Sequence, residues 1–234
     1  LTALVAKGGP CPEEYYDLDA WIIEVSEQVK TGVLKKEELC EIVQLFGEAF
    51  SAETMQGFAF RKPHGYAGDF EIIDRTYQSY VSSQIHLSRW DIYWQRHAAA
   101  DAVRNRVHYL HNLLKSYDLN SCETFEVLNL ASGPGRDLLH FLERNRNANI
   151  HFDCVEQDGN AIKHASELCN NYLDKITFFK RNALRFSTSK KFNLVWSAGL
   201  FDYFDDQLFS FMAKRLVTMV KPTRLPIIHP SPAY

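Results

Sequence analysis

The segment that most constrains the fold is residues 125–137, which read FEVLNLASGPGRD. A short apolar run ends there in small residues, and the apolar side chains of residues 138–142 then recur at helical spacing. This order predicts a buried strand, a glycine turn and a helix that begins at the turn. Glycine lets a backbone approach a ligand closely, and a helix N-terminus offers unpaired N–H groups. The segment therefore predicts a loop that binds a cofactor.

Strands and helices alternate along the chain after residue 119. The predicted strands are 126–131, 150–155, 175–180 and 192–197, with a weaker fifth at 224–229, and the predicted helices are 136–145, 159–173 and 205–220. Alternation of this kind, with nearly continuous apolar strands, is typical of a parallel sheet covered on both faces. We therefore predict an α/β domain over residues 120–234.

Residues 1–119 are predicted to form a helical region, with helices over 12–30, 35–50, 70–80 and 88–117. Within it, residues 61–70 read RKPHGYAGDF and have no helical period. We predict that this stretch is a lid that carries His64, Tyr66 and Asp69 over a pocket. The alternative is a glycine-rich turn in which Asp69 caps the next helix.

Composition limits the class of function. Of the 234 residues 46% are hydrophobic and the net charge is −3, which argues against a dedicated nucleic-acid binder. The five cysteines form no C-x-x-C pair, so we expect reduced thiols of a cytoplasmic protein and no zinc site. His108 and His111 lack a third ligand, so no metal is predicted. No apolar run is long enough to span a membrane.

In an open parallel sheet, ligands bind beyond the carboxyl ends of the strands, so the residues that follow each strand are the candidate cofactor-binding residues. They are Ala131, Ser132, Gly133 and Gly135 after the first strand, Glu156 and Gln157 after the second, Asn182 and Ala183 after the third, and Ser197, Ala198 and Gly199 after the fourth.

The spacing of these residues excludes two kinds of nucleotide site. A dinucleotide fingerprint requires G-x-G-x-x-G, but Leu138 occupies the third position when the pattern begins at Gly133. Beginning at Ala131 places Arg136 there, and no G-K-[ST] follows to make a P-loop. Glu156 nevertheless lies about 20 residues further on, where an acid binds a ribose diol. A ribose acceptor without a pyrophosphate loop predicts a nucleoside cofactor.

Residues 127–135, VLNLASGPG, resemble motif I of class I S-adenosylmethionine-dependent methyltransferases. The resemblance continues at Val155-Glu156 (ribose acid), Asn182-Ala183 (adenine edge) and residues 192–197 (fourth motif). It implies a Rossmann-like, mostly parallel sheet and S-adenosyl-L-methionine as cofactor. Asn182 and Asn193 stand where this family commonly has aspartate. The family's sheet also ends in a β-hairpin that residues 223–234 are too short to supply, so we expect a truncated sheet.

A narrower resemblance comes from residues 62–69 and 102–106, KPHGYAGD and AVRNR, which are similar to the bacterial extracellular-factor or 3-hydroxypalmitic acid methyl ester synthases. It implies methylation of a fatty-acid carboxylate. A carboxylate is ionised at neutral pH and requires a cation, for which Arg104, Arg106 and Arg61 are candidates. A hydroxyl or amine acceptor would require a base, His64 or Asp69. Tyr66 would shape the pocket and contact the cofactor.

Three functions remain open at this point. The first is a small-molecule methyltransferase, whose acceptor is acidic or acyl. The second is a non-catalytic protein that binds S-adenosylmethionine or serves as a scaffold, and the third is a nicotinamide-dependent oxidoreductase. A truncated sheet leaves an exposed edge, which a second subunit of a homodimer would cover.

Overall fold

The computed structural model describes residues 1–222 and the backbone of residues 227–229. The chain divides into two compact units, Leu1–Asp101 and Ala102–Tyr234. This division falls inside a helix, whereas the sequence places the domain boundary at residues 119–120.

The first unit is helical, and its helices are short and interrupted by turns. They are α1 (Thr2–Ala6), α2 (Tyr15–Lys30), α3 (Lys36–Leu45), α4 (Met55–Arg61), α5 (Phe70–Tyr77), α6 (Ile85–Gln95) and the start of α7 (Ala98–Lys115). One apolar cluster joins Leu18 of α2 to Trp90 and Tyr93 of α6. A second joins Met55 and Phe58 of α4 to Ile72 of α5.

Two of the predicted helices are wrong in extent. The single helix expected over residues 88–117 is two helices, because the chain turns at residues 96–97, where Arg96 pairs with Asp19 and lies over the Tyr93 ring. The helix expected over residues 35–50 ends at Leu45, and a 3₁₀ turn follows from Gly47, whose φ of +52° is outside the helical region.

The second unit alternates strands and helices as predicted. After α7 come β1 (Phe125–Leu130), α8 (Arg136–Arg144), β2 (Ile150–Glu156), α9 (Gly159–Leu168), β3 (Ile176–Lys180), β4 (Leu194–Ala198), α10 (Asp206–Val217) and β5 (Ile227–His229). Side-chain carboxyls of Asp158 and Asp205 cap the first turns of α9 and α10. The predicted fifth strand is observed at 227–229, and the rest of residues 223–234 lies outside the described residues.

The sheet has the order β3-β2-β1-β4-β5, and every neighbouring pair is parallel. Val127 of β1 faces a core formed with Leu110 of α7 and Phe141 of α8, while Leu128 faces the opposite core with Met212 of α10. Alternate residues of the strands are therefore buried on opposite faces, which gives three layers. The predicted Rossmann-like α/β fold is confirmed.

The register brings the carboxyl ends of the central strands to one edge, because Leu130 lies opposite both Val155 of β2 and Ser197 of β4. The order of the strands reverses between β1 and β4, which makes this edge the expected position of a ligand site. Among the described residues, no helix has the length and hydropathy needed to cross a membrane.

Candidate functional site

The loop after β1 follows an unusual backbone path. Ala131, Gly133 and Gly135 all have left-handed φ values, of 53°, 57° and 74°. A Cβ on Gly135 would lie 3.1 Å from the Cβ of Ala165 in α9, so this glycine allows α8 and α9 to pack closely. A Cβ on Gly133 would meet no atom within 4 Å, so this part of the loop faces open space. The loop therefore has one glycine for packing and one beside a volume that a ligand can occupy.

Glu156 anchors this loop from the end of β2. Its buried carboxylate accepts the N–H of Gly133 at 3.0 Å through Oε2. Oε1 accepts the N–H groups of Gln157 at 2.8 Å and Asp158 at 3.0 Å. An ionised carboxylate accepts about four hydrogen bonds, so a position remains for a hydroxyl group of a ligand. Open space beside Gly133 and a fixed acceptor beneath it fit the ribose of a nucleoside.

The loop after β3 contributes an amide pair. Nδ2 of Asn182 donates to Oε1 of Gln157 at 3.0 Å, and Oδ1 of Asn182 accepts the N–H of Leu184 at 2.8 Å. The backbone N–H of Arg181 donates to the carbonyl of Glu156 at 2.9 Å. These contacts hold Asn182 and Ala183 next to the Glu156 loop. Asn182 thus supplies a hydrogen-bond donor, which an aspartate at this position would not have.

The loop after β4 turns sharply over small residues. The Ser197 hydroxyl donates to the carbonyl of Leu130 at 3.0 Å, which ties the ends of β4 and β1 together. Gly199 has a φ of +96° and is followed by the short helical turn Leu200–Tyr203. The side chain of Arg106 lies directly against Gly199, with Nη1 2.9 Å from the position of an added Cβ.

Two buried titratable groups lie behind the glycine loop. Burial raises the pKa of the Asp137 carboxyl to about 6, although hydrogen bonds from the backbone N–H groups of Leu138 and Asp137 and the Arg106 charge act in the opposite direction. Burial also lowers the pKa of His111 to about 4. Nε2 of His111 lies 3.4 Å from the carbonyl oxygen of Asp137. Nothing in the sequence distinguishes Asp137, because an acid in the first turn of a helix is common.

The predicted lid residues belong to the first unit. Asp69 is buried and caps α5 by accepting the N–H groups of Glu71 at 2.9 Å and Ile72 at 3.0 Å. Burial raises the pKa of its carboxyl. His64 contacts the Glu71 carboxylate at 2.9 Å, and Tyr66 is 40% exposed. Asp69 therefore has the capping role of the alternative interpretation, and a chemical role for the loop stays a prediction.

The candidate cofactor-binding residues of the second unit lie at one edge of the sheet, where the strands end. The two arginines of α7 differ, since Arg106 is buried and Arg104 is half-buried. Within the described part of the chain, no group of three or more His, Cys, Asp or Glu residues could hold a metal ion. His111 is buried and His108 is exposed.

The comparison with known protein families matches part of the second unit. Residues 127–223 match the family described as methyltransferase domain, which is less than half of the chain. No curated protein sequence matches the chain.

Several solved structures are similar. A structure from Bordetella parapertussis, described as a possible exported protein, is 20% identical with a TM-score of 0.56, over 66% of this chain and 51% of that one. The N-methyltransferase NodS from Bradyrhizobium japonicum, in complex with S-adenosyl-L-homocysteine, is 19% identical with a TM-score of 0.40, over 49% of this chain and 57% of that one.

A methyltransferase from Geobacter sulfurreducens, in complex with the same product, is 16% identical with a TM-score of 0.40, over 53% and 47% of the two chains. The chain thus spans about half the length of the structures that it matches. The likeness to the Bordetella protein shows a shared fold, and the other two are too distant to support an inference.

Proposed function

We propose that the protein is an S-adenosylmethionine-dependent methyltransferase that acts on a small molecule. The observation that carries this proposal is the buried carboxylate of Glu156, held under the Gly133 loop by three backbone N–H groups. This is a preformed acceptor for a ribose diol beside an open backbone turn. The match of residues 127–223 to the methyltransferase domain supports it.

We assign each loop at the sheet edge to a different part of the cofactor. Ala131 to Gly135 would hold the aminoacyl part, Glu156 would accept the ribose hydroxyls, and Asn182 and Ala183 would contact the edge of the adenine. Gln157 and residues 197–199 would complete the site. When bound, the cofactor supplies an activated methyl group on a sulfonium ion. The protein's own contribution is to hold the acceptor in line with that group, since proximity and orientation contribute about 7–11 kcal/mol in favourable cases.

The nicotinamide alternative is disfavoured by the first turns of α8. A dinucleotide site requires a third glycine where Leu138 stands, so that the pyrophosphate can meet the helix N-terminus. Leu138 is fully buried in the core beneath the sheet. A bulky side chain is therefore buried at the position where a dinucleotide site needs glycine.

For the acceptor, we propose a fatty-acid carboxylate that becomes a methyl ester. A carboxylate is already ionised at neutral pH, so the protein needs a cation to orient it and no base. Arg104 is the candidate, because it is half-buried on α7 within the second unit. If the acceptor is a hydroxyl or an amine instead, His64 or Asp69 is the candidate base.

We also propose a reducing, cytoplasmic location. The five cysteines are all free thiols, and Cys154 and Cys169 are buried. Burial raises the pKa of Cys169 to about 12, so this thiol stays protonated and unreactive.

The first experiment is calorimetry of the whole chain with S-adenosylmethionine and, separately, with NAD. We expect heat of binding with the former only, and no heat with it would overturn the proposal. Glu156→Gln should weaken binding about tenfold or more, because hydrogen bonds to a charged group contribute about 1.5–3 kcal/mol. Glu123→Gln, at an exposed position just before β1, is the matched control.

The second experiment identifies the acceptor. The chain is incubated with cofactor carrying a labelled methyl group and a panel of fatty acids, amines and phenols. Label that becomes volatile after mild alkali marks a methyl ester and supports the carboxylate. Binding of the cofactor without transfer to any member of the panel favours the non-catalytic alternative.

A further inference from the structure

Arg106 is a buried cation that the matched methyltransferase segment does not include. It lies on α7, before residues 127–223, and its side chain is only 9% exposed. A buried charge is costly unless charged or hydrogen-bonding groups compensate it. The groups around Arg106 therefore indicate what the side chain does.

The first of these groups belong to the loop after β4. Nη1 of Arg106 lies against Gly199, 2.9 Å from where a Cβ would stand, and Nη2 lies 3.8 Å from the carboxylate of Asp202. Gly199 leaves room for the guanidinium only because it has no side chain. The guanidinium thus lies against the backbone of the loop and faces its acid.

The second group lies at the start of α8, directly after the loop that follows β1. Asp137 is buried in the first turn of α8, two residues after Gly135, and the Arg106 charge stabilises its ionised carboxylate. The Arg106 charge therefore acts on two acids, Asp202 in the loop after β4 and Asp137 in the helix that follows the loop after β1. Both loops are at the edge of the sheet where the candidate cofactor site lies.

We propose that Arg106 is a positioning residue that holds the loops after β1 and β4 in the arrangement required to bind the methyl donor. This inference rests on the proposed function and assigns Arg106 to the two loops instead of to the acceptor. A planar guanidinium presents five donors in a fixed fork, so one side chain can serve both loops. A lysine at this position keeps the charge but presents it at a single point.

The test compares the whole chain with Arg106→Gln and Arg106→Lys. Lys115→Gln removes a charge from an exposed position of the same helix and is the matched control. Affinity for S-adenosylmethionine is measured by calorimetry, and amide hydrogen exchange is measured over residues 131–137 and 197–203. If the binding-competent arrangement of the loops falls to about one-tenth of molecules, the dissociation constant rises about tenfold.

We expect Arg106→Gln to weaken binding about tenfold or more and to speed exchange in both loops together. Arg106→Lys should restore part of the affinity, and Lys115→Gln should change neither quantity. An unchanged affinity with unchanged exchange in Arg106→Gln would overturn the inference. Faster exchange throughout the second unit, with unchanged affinity of the folded fraction, would also overturn it, because that pattern marks a merely structural residue.

Two further measurements keep the result interpretable. If Arg106→Gln does not fold, Asp202→Asn removes the partner in the second loop and should weaken binding in the same direction; unchanged binding then counts against the inference. If the unaltered chain gives no heat with S-adenosylmethionine, the proposed function fails. The exchange comparison still decides whether Arg106 holds the two loops together.

Discussion

At the scale of single residues, the loop after β1 depends on left-handed backbone at three positions. The sequence indicated glycine chemistry at residues 133 and 135 but gave no sign that Ala131 has a φ of 53°. An L-residue in this region costs roughly 1–2 kcal/mol relative to ordinary backbone. The neighbouring hydrogen bond from the Ala131 N–H to the Val155 carbonyl, at 2.8 Å, helps to hold it.

The two roles of Gly133 can be separated by substitution. Gly133→Ala places a methyl group in left-handed backbone and in the open space beside Glu156. We expect a loss of about 1 kcal/mol in the free energy of unfolding and at least about tenfold weaker binding of S-adenosylmethionine. Chemical denaturation and calorimetry measure the two effects.

Gly32→Ala is the matched control for this prediction. Gly32 also has a left-handed φ, of 72°, and no atom within 4 Å of an added Cβ, but it follows α2 in the first unit. Gly32→Ala should lower the free energy of unfolding by a similar amount and leave cofactor binding unchanged. Equal affinities in the two variants would mean that Gly133 serves only the turn.

At the scale of elements, the loop before α5 combines a helix cap with unused functional groups. Asp69 caps α5, and Gly65 and Gly68 have left-handed φ values of 87° and 65°. A cap needs one acceptor oxygen, which asparagine supplies about as well as aspartate. Asp69→Asn therefore keeps the cap and removes the charge.

We expect Asp69→Asn and Tyr66→Phe to lower turnover about tenfold or more while the melting temperature changes by no more than about 2 °C. Turnover is measured with the acceptor that the panel identifies. Tyr16→Phe, at a position 82% exposed, is the control. A large fall in melting temperature with unchanged turnover would make the loop structural.

Asp91 joins three elements of the first unit. From α6, its fully buried carboxylate accepts the N–H of Met55, at the start of α4, at 2.6 Å and that of Ser82, before α6, at 2.7 Å. Each N–H would be unsatisfied without this acceptor. Burial raises the pKa of Asp91, and the two hydrogen bonds act against that rise.

Asp91→Asn keeps one acceptor oxygen and loses the other. We expect it to lower the free energy of unfolding by about 1–3 kcal/mol, the cost of one unsatisfied buried N–H. Asp17→Asn, exposed on α2, should change it by less than about 0.5 kcal/mol. Denaturant unfolding measures both, and equal values would show that the Asp91 contacts contribute nothing to stability.

At the scale of the whole molecule, Asp137 and His111 give stability opposite dependences on pH. The pKa of Asp137 is raised from 3.8 to about 6, so its contribution to stability is lost as pH rises from about 4 to about 6. The pKa of His111 is lowered from 6.5 to about 4, so its contribution is lost as pH falls over the same window. Each amounts to roughly 3 kcal/mol, and the two nearly cancel.

Removing one of the two groups should therefore reveal the pH dependence of stability that the other group contributes. Relative to the unaltered chain, Asp137→Asn should become more stable as pH rises from 4 to 6.5, and His111→Gln should become less stable. Denaturant unfolding at several pH values gives the slope of the free energy of unfolding against pH. A substitution that lowers stability by the same amount at every pH does not change this slope. Parallel curves for all three proteins would contradict the assigned pKa values.

The order of the elements in the second unit could be predicted from the sequence, because apolar periodicity and glycine turns are local signals. The helices of the first unit were predicted less well. Residues 88–117 have one continuous apolar period, yet the helix breaks at residues 96–97, where Arg96 pairs with Asp19 far away in the chain. A contact between distant residues leaves no local trace in the sequence.

The strand β1, the glycine loop at Gly133 and the acid at Glu156 could all be predicted from spacing along the chain, because the loop and the acid lie where predicted strands end. The surroundings of the loop and the acid depend on the three-dimensional fold. It placed Arg106 against Gly199 and 3.8 Å from the carboxylate of Asp202, although Arg106 is far from both residues in sequence. Burial and charge pairing depend on how helices pack on the sheet. The glycine loop could therefore be predicted from the sequence, whereas the buried position of Arg106 could not.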